Sequence, residues 1–184
     1  MGVDGAQMKR AVFLDRDGVL NRAIVRDGKP YPPSNVSELE ILPGVEQALA
    51  GLRRAGFLLI VVTNQPDVAR GTTTREIVEA INVALGAELP IDEFRTCYHD
   101  SEAGCDCRKP RPGALLAAAV DHDIDLYDSF MVGDRWRDVE AGQRAGCKTI
   151  FIDYGYQEKQ PEAVEYTVAS LSEAAKIILR RHCS

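Results

Sequence analysis

Ala11-Val12-Phe13-Leu14-Asp15-Arg16-Asp17-Gly18 runs from four apolar residues straight into two carboxylates and a glycine. A short run that is apolar throughout, with no alternation, reads as a strand covered on both faces, the kind found in parallel sheets. The pattern recurs at 57–62 (FLLIVV) before Thr63-Asn64-Gln65, at 130–132 (FMV) before Gly133-Asp134, and at 149–152 (TIFI), with a weaker candidate at 94–98. Helical patterns lie between these runs. Pro43-Gly44 opens one that Gly56 closes, with the proline at its start. Thr73 and Glu76 form a capping box ahead of a second that reaches about Leu85. Residues 112–121 are rich in Ala and Leu, and 136–145 are amphipathic. Ser170 with Glu173 caps a last helix whose apolar face is Leu171, Ala174, Ala175 and Ile178. The alternation predicts an α/β fold: a single doubly wound, mainly parallel, Rossmann-like sheet. At 184 residues with 45% apolar content, one core suffices, so one domain is expected over 1–184, its core at about 11–182.

Charge narrows the partners. Lys and Arg number 22 against 28 Asp and Glu, a balance that repels nucleic acid and anionic membrane and leaves an anionic substrate to be held by a local basic cluster. No run of 18 apolar residues occurs and residues 1–10 lack the apolar block of a secretory leader, so a cytoplasmic protein without membrane partner is expected, acting as a monomer on a small molecule. Cys147 opens an apolar run and reads as a packing residue, and Cys183 sits in a tail.

One connection is far longer than the usual two to six or so residues of α/β turns: 16–42, between the first strand and the first helix. Asp27-Gly28 marks a hairpin inside it, and Pro30, Pro32 and Pro33 stiffen its return, as in a flap or binding loop.

In an open parallel sheet, ligands sit beyond the carboxyl ends of the strands. The residues there are Asp15 and Asp17, Thr63 and Asn64, Lys109, and Asp134. Singly, each is as readily a helix cap or turn former. Together they suit phosphoryl transfer, which needs a nucleophile, a hard cation on oxygen ligands and donors for the phosphate oxygens. Asp15 can attack phosphorus, and Asp17 can protonate the leaving oxygen and then deprotonate water. Thr63 and Lys109 can hold the phosphoryl group. The two acids and Asp134 repel one another unless a divalent cation lies between them, for which Mg²⁺ is expected.

Residues 13–21 (FLDRDGVLN), 62–65 (VTNQ) with 69–71 (ARG), 107–110 (CRKP) and 131–134 (MVGD) together resemble the four motifs of haloacid-dehalogenase-type phosphatases. They resemble most the branch containing heptose bisphosphate phosphatases and histidinol-phosphatase domains. The resemblance covers about residues 12–153. It implies Asp15 as nucleophile, Asp17 as general acid and base, and Mg²⁺ on Asp15, Asp134 and the backbone oxygen of Asp17. It implies that Arg108 and Arg135 contact substrate, and makes Asn64 and Gln65 further substrate-binding candidates. A sugar bisphosphate is the substrate expected first, with histidinol phosphate as the alternative. Two readings without catalysis are a phospho-accepting receiver, which would place its accepting Asp at the third strand, and a zinc-binding module. Here the third candidate strand leads to cysteines instead.

Those cysteines form Cys97-x-His99-x5-Cys105-x-Cys107, four soft ligands that suffice for a closed tetrahedral Zn²⁺ site. An accidental cluster or a redox dithiol would leave the same sequence. The resemblance supports structural zinc in this loop, 97–107. With 65–73 too short for a separate cap domain, closure over the site is expected from 16–42 and the zinc loop.

Overall fold

The computed structural model describes residues 8–182. Cys183 lies outside them. Six strands form one sheet: β1 (Arg10–Leu14), β4 (Phe57–Asn64), β5 (Glu93–Cys97), β6 (Phe130–Gly133), β7 (Lys148–Ile152) and β8 (Tyr166–Val168), while β2 (Ile24–Arg26) and β3 (Lys29–Tyr31) form a separate hairpin. The sheet order is β5-β4-β1-β6-β7-β8, and every adjacent pair is parallel. The order reverses between β1 and β6, the switch point at which such sheets bind ligands.

The uninterrupted apolar runs are explained by helices on both faces. Val12 and Leu14 of β1, with Leu59, Val61 and Val132, pack against α1 (Val45–Arg54), α2 (Arg75–Glu88) and α5 (Leu171–His182). Ala11 and Phe13, with Ile60, Val62 and Met131, pack against α3 (Gly113–His122) and α4 (Trp136–Ala145). Neighbours along each strand thus enter different halves of the core, as the two-residue period of a strand requires.

The predicted strands and helices are present, with differences at their ends. Thr63 and Asn64 belong to β4 and pair with Thr96 and Cys97. The cap of α2 is Thr74, not Thr73: its hydroxyl accepts from Ile77 N at 3.4 Å, leaving Glu76 one place short of a capping box. Pro43 precedes the cap Gly44 and is not in the first turn. In α5, Ser170 Oγ accepts from Glu173 N, but the Glu173 carboxylate returns to Ala169 N rather than to its own cap. The strand β8 has no counterpart in the sequence reading, since it is three residues long with only Val168 buried.

In the long connection, β2 and β3 pair antiparallel across Asp27-Gly28, with φ of 49° and 70°. Two successive positive φ values make the turn that matches the twist of a two-residue hairpin.

Two helical glycines separate packing from propensity. A Cβ on Gly142 of α4 would lie 2.6 Å from Met131 Cβ and 2.8 Å from Thr149 Cγ2, whereas on Gly51 of α1 it would meet Leu179 Cδ1 at an ordinary 3.5 Å. Gly142→Ala should therefore cost about 1–3 kcal/mol by overpacking, while Gly51→Ala should gain about 0.5–1 kcal/mol of helix propensity. Thermal unfolding of the two variants checks this, with opposite shifts in Tm of about 2–4 °C per kcal/mol.

Candidate active site

Asp15 leaves β1 with its N–H on Val132 O of β6 at 3.0 Å, which pins it at the switch point. Its carboxylate Oδ1 lies 2.7 Å from Lys109 Nζ. Lys109 arrives from the far edge of the sheet, and Asn64 at the tip of β4 grips its backbone from both sides: Asn64 Nδ2 donates to Lys109 O at 2.9 Å and Lys109 N donates to Asn64 Oδ1 at 3.1 Å. The ammonium is 2% exposed and meets Asp15 Oδ1, Asp138 Oδ1 (2.7 Å) and Val62 O (2.6 Å), one acceptor for each of its three hydrogens.

Asp138, on the first turn of α4, also accepts from Arg135 N at 3.0 Å. Asp134 differs from it: both carboxylate oxygens are buried without a hydrogen-bond partner, and the Tyr156 hydroxyl nearby falls outside hydrogen-bond geometry. Asp134 Oδ2 packs so closely on Gly18 that a Cβ there would lie 2.0 Å from it, and the φ of 86° also demands glycine. Asp15, Asp134 and Asp138 can direct ligand oxygens to within 4.8 Å of one another. Three buried acids thus face one buried cation. Asp138 is engaged by Lys109 and a backbone N–H, so the oxygens left for a metal are those of Asp134 and Asp15. Bare, buried oxygens beside excess negative charge fit a hard divalent cation.

The titration of the group follows from this imbalance. Burial, opposed by Lys109 and reinforced by Asp138 and Asp17, raises Asp15 to about 6. Burial, with Asp15 and Asp138, holds Asp134 well above the carboxylate range. Burial would depress Lys109, but Asp138 and Asp15 outweigh it and raise it.

Asp17 turns its carboxylate sideways. It accepts from Asn21 Nδ2 and Gln65 Nε2, each at 2.9 Å, and from Arg16 at 3.1–3.3 Å. Gln65 also donates to Thr63 Oγ1 at 2.9 Å and is itself buried, so it touches the site's own side chains rather than the open cleft. Thr63, Asn64, Arg108, Arg135 and Arg137 line that cleft with Asp15 and Lys109, and Pro30, Tyr31 and Pro32 of the hairpin form its outer wall. Arg108 Nη1 donates to His99 O at 3.1 Å. Arg135 is paired with Glu158, its Nε lying 3.0 and 3.1 Å from the two carboxylate oxygens. Half-buried between Arg135 and Arg108, Arg137 has its pKa lowered, first by burial and then by those charges.

Sequence reasoning passed over Asp138, Arg137, Glu158 and Arg16. Asp138 had a signal, since it stands in the first turn of an amphipathic helix that begins directly after Asp134-Arg135. Glu158 had none, because it comes from the loop between β7 and β8.

Cys97, His99, Cys105 and Cys107 converge. Cys107 Sγ lies 3.0 Å from Cys97 Sγ and 3.5 Å from Cys105 Sγ, Cys97 and Cys105 are 3.7 Å apart, and His99 Nδ1 is 3.4 Å from Cys107 Sγ. Sulfurs around one tetrahedral zinc at ~2.3 Å stand about 3.8 Å apart, so these four atoms could hold such an ion. Among the described residues the thiols are free, and no helix is long and apolar enough to cross a membrane.

A family model described as HAD-hydrolase-like matches residues 106–174. The D-glycero-beta-D-manno-heptose-1,7-bisphosphate 7-phosphatase of Pasteurella multocida (strain Pm70) is 34% identical, covering 93% of this chain and 97% of that protein. The protein of the same name from Escherichia coli (strain K12) is 32% identical over 93% and 94%. The crystal structure of D,D-heptose 1,7-bisphosphate phosphatase from B. bronchiseptica, complexed with magnesium and phosphate, matches with a TM-score of 0.79 at 32% identity, over 94% of this chain and 99% of that one.

The acid cluster makes a pH-dependent prediction. Asp15 is raised in the fold from its ordinary 3.8 to about 6, so without a cation its ionisation costs stability as pH rises through that window. Binding a cation offsets the cost and competes with the proton. Mg²⁺ should therefore raise Tm at neutral pH, with a gain that shrinks as pH falls below about 6, and Asp134→Asn should abolish most of it. Scanning calorimetry across pH checks this; a gain independent of pH would contradict it.

Proposed function

The chain belongs to the haloacid-dehalogenase-like phosphatases, and within them we propose that it removes the 7-phosphate of a D-glycero-D-manno-heptose 1,7-bisphosphate through an aspartyl-phosphate on Asp15. The observation that carries the substrate assignment is the near full-length similarity to enzymes of that name. A cleft that sets arginines beside Asp15 and Lys109 supports it.

In the proposed cycle, a carboxylate oxygen of Asp15 attacks phosphorus. The bond from phosphorus to the sugar oxygen breaks as the new one forms, and Asp17 gives that oxygen its proton. Asp17 then takes a proton from water, whose oxygen attacks the same phosphorus, and the Asp15 carboxylate leaves inorganic phosphate behind. Lys109, already against Asp15 Oδ1, offsets charge on the nucleophile and the transferring group, and Thr63 donates its hydroxyl. Asn64 holds the Lys109 backbone in register, and Gln65 ties Thr63 to Asp17. Mg²⁺, with Asp15, Asp134 and the backbone oxygen of Asp17 as proposed ligands, supplies compensation for the acids and the phosphoryl oxygens.

Zn²⁺ on Cys97, His99, Cys105 and Cys107 is proposed as structural: a closed four-ligand shell leaves no open position, and Cys107 is followed directly by Arg108 and Lys109. A cluster of free thiols favours a reducing compartment, so we place the protein in the cytoplasm, acting as a monomer with a sugar phosphate as its partner. Metal analysis of protein purified without chelator should find about one zinc per chain; a metal-free preparation that is fully active would contradict it.

The substrate assignment is tested by phosphate release from heptose 1,7-bisphosphates of both anomers, histidinol phosphate and short-chain sugar phosphates. Arg108 adjoins the phosphoryl site but serves it less directly than Lys109, so it is assigned to the rest of the substrate. Arg108→Ala should lower kcat/KM on the bisphosphate by about tenfold or more, the value of a charge-assisted hydrogen bond of ~1.5–3 kcal/mol, and much less on a small generic ester. Equal losses on both, or a preference for histidinol phosphate, would contradict the assignment.

A further inference from the structure

Arg16 is buried completely, although it carries a guanidinium that cannot be neutralised. Such a group survives out of water only if its charge is paired and its donors are accepted. The acid in contact is Asp17, which takes Nε at 3.3 Å on both oxygens and Nη2 at 3.1 Å on Oδ2. The other side of the guanidinium is held from a distance in sequence: Nη1 donates to Asn82 Oδ1 at 2.9 Å. Asn82 sits on α2, is 3% exposed, and lies outside the cleft. Its amide is oriented without ambiguity, because arginine only donates and so must face the oxygen. The amide nitrogen then donates to Thr96 Oγ1 on β5 at 3.1 Å.

We propose that Asn82 is a positioning residue for the acid chemistry of Asp17, acting through Arg16. A guanidinium is planar, so fixing Nη1 fixes the direction in which Nε and Nη2 point and hence where they hold the carboxylate. Asn82 is placed oddly for any lesser role. Val78, Ile81 and Leu85 form the buried stripe of α2, and Asn82 is the one polar residue among the buried positions of that helix. Burying an amide there costs free energy unless it is hydrogen-bonded, and both of its bonds lead along a single line, from the sheet at Thr96 to Asp17. Asn21 and Gln65 donate their amide N–H groups to the same carboxylate, so Asp17 is located by three side chains.

The inference rests on Asp17 being the general acid. An acid matters most when the departing oxygen is a poor leaving group, as in an alkyl phosphate, and little for p-nitrophenyl phosphate, whose phenolate departs unaided. Since kcat/KM counts only steps through expulsion of the alcohol, comparing the two esters isolates protonation from later hydrolysis of the phosphoenzyme. Asn82→Ala should lower kcat/KM on a primary sugar phosphate by about tenfold or more, part of the roughly 10²–10⁴ that positioned proton transfer contributes, with a loss under about twofold on the aryl ester. Thr96→Val, which keeps the Arg16–Asn82 bond but frees the amide, should show a smaller loss with the same dependence and decides the matter if Asn82→Ala does not fold. Equal losses on both esters, or none, would overturn the inference. Asp17→Asn assayed alongside separates the failures. If it shows the dependence and the other two variants do not, the inference alone falls; if it lacks the dependence, the assignment of Asp17 as acid falls and takes the inference with it.

Discussion

Lys109 brings a positive charge to a point where three carboxylates are buried, and the ends of the strands are arranged around that charge. Its ammonium spans Asp15 just past β1, Val62 on β4 and Asp138 on α4, so segments from both sides of the switch point are tied by one group. Burying acids together is tolerated only with compensation. Removing one partner of such a buried pair costs about 3–5 kcal/mol, because the other charge is left alone in a poor solvent. One ammonium does not balance three acids, and the residual charge appears as the raised Asp15 and Asp134 and the bare oxygens of Asp134. The same shortfall of positive charge creates affinity for a divalent cation.

The position of Lys109 depends in turn on parts of the chain with little core of their own. The cysteine loop carries it, and Arg111 fastens the loop by donating to Cys105 O at 2.7 Å. Asn64 holds the backbone of Lys109 itself. On the opposite side, the hairpin of the long connection brings Pro30, Tyr31 and Pro32 over the cleft. The sheet supplies a rigid floor, and these two segments supply walls whose sequence can vary without disturbing it. Those walls are rich in proline, arginine and cysteine, whereas the strands beneath them are apolar.

Much of this was legible because buried parallel strands leave a loud signal. The runs at 11–14, 57–62 and 130–132 are apolar on both faces, and each is followed within two residues by a polar residue that reaches the site. The conjunction of Asp15, Thr63, Lys109 and Asp134 across separate strand ends was readable for the same reason. What stayed hidden depends on tertiary contact. The strand β8 is too short to make a pattern, and Glu158, the partner of Arg135, comes from a loop with no periodicity. Arg16 looks like a solvated turn residue until α2 is packed over it, and Asn82 looks like an ordinary break in an apolar stripe. The helix cap at Thr74 was missed by one residue because Thr72, Thr73 and Thr74 offer the same side chain three times, and only the backbone direction selects among them.

The proposed chemistry depends first on the covalent step at Asp15. Mixing the enzyme with a sugar bisphosphate and Mg²⁺, quenching within the first turnover, reducing with borohydride and sequencing the peptides by mass spectrometry reads out where phosphate was attached, since an acyl phosphate is reduced and leaves homoserine in place of aspartate. Homoserine at position 15 in the wild type, and none in Asp15→Asn, is the predicted result. Phosphate release at the normal rate with no modification at Asp15, or with the label on another residue, would contradict it.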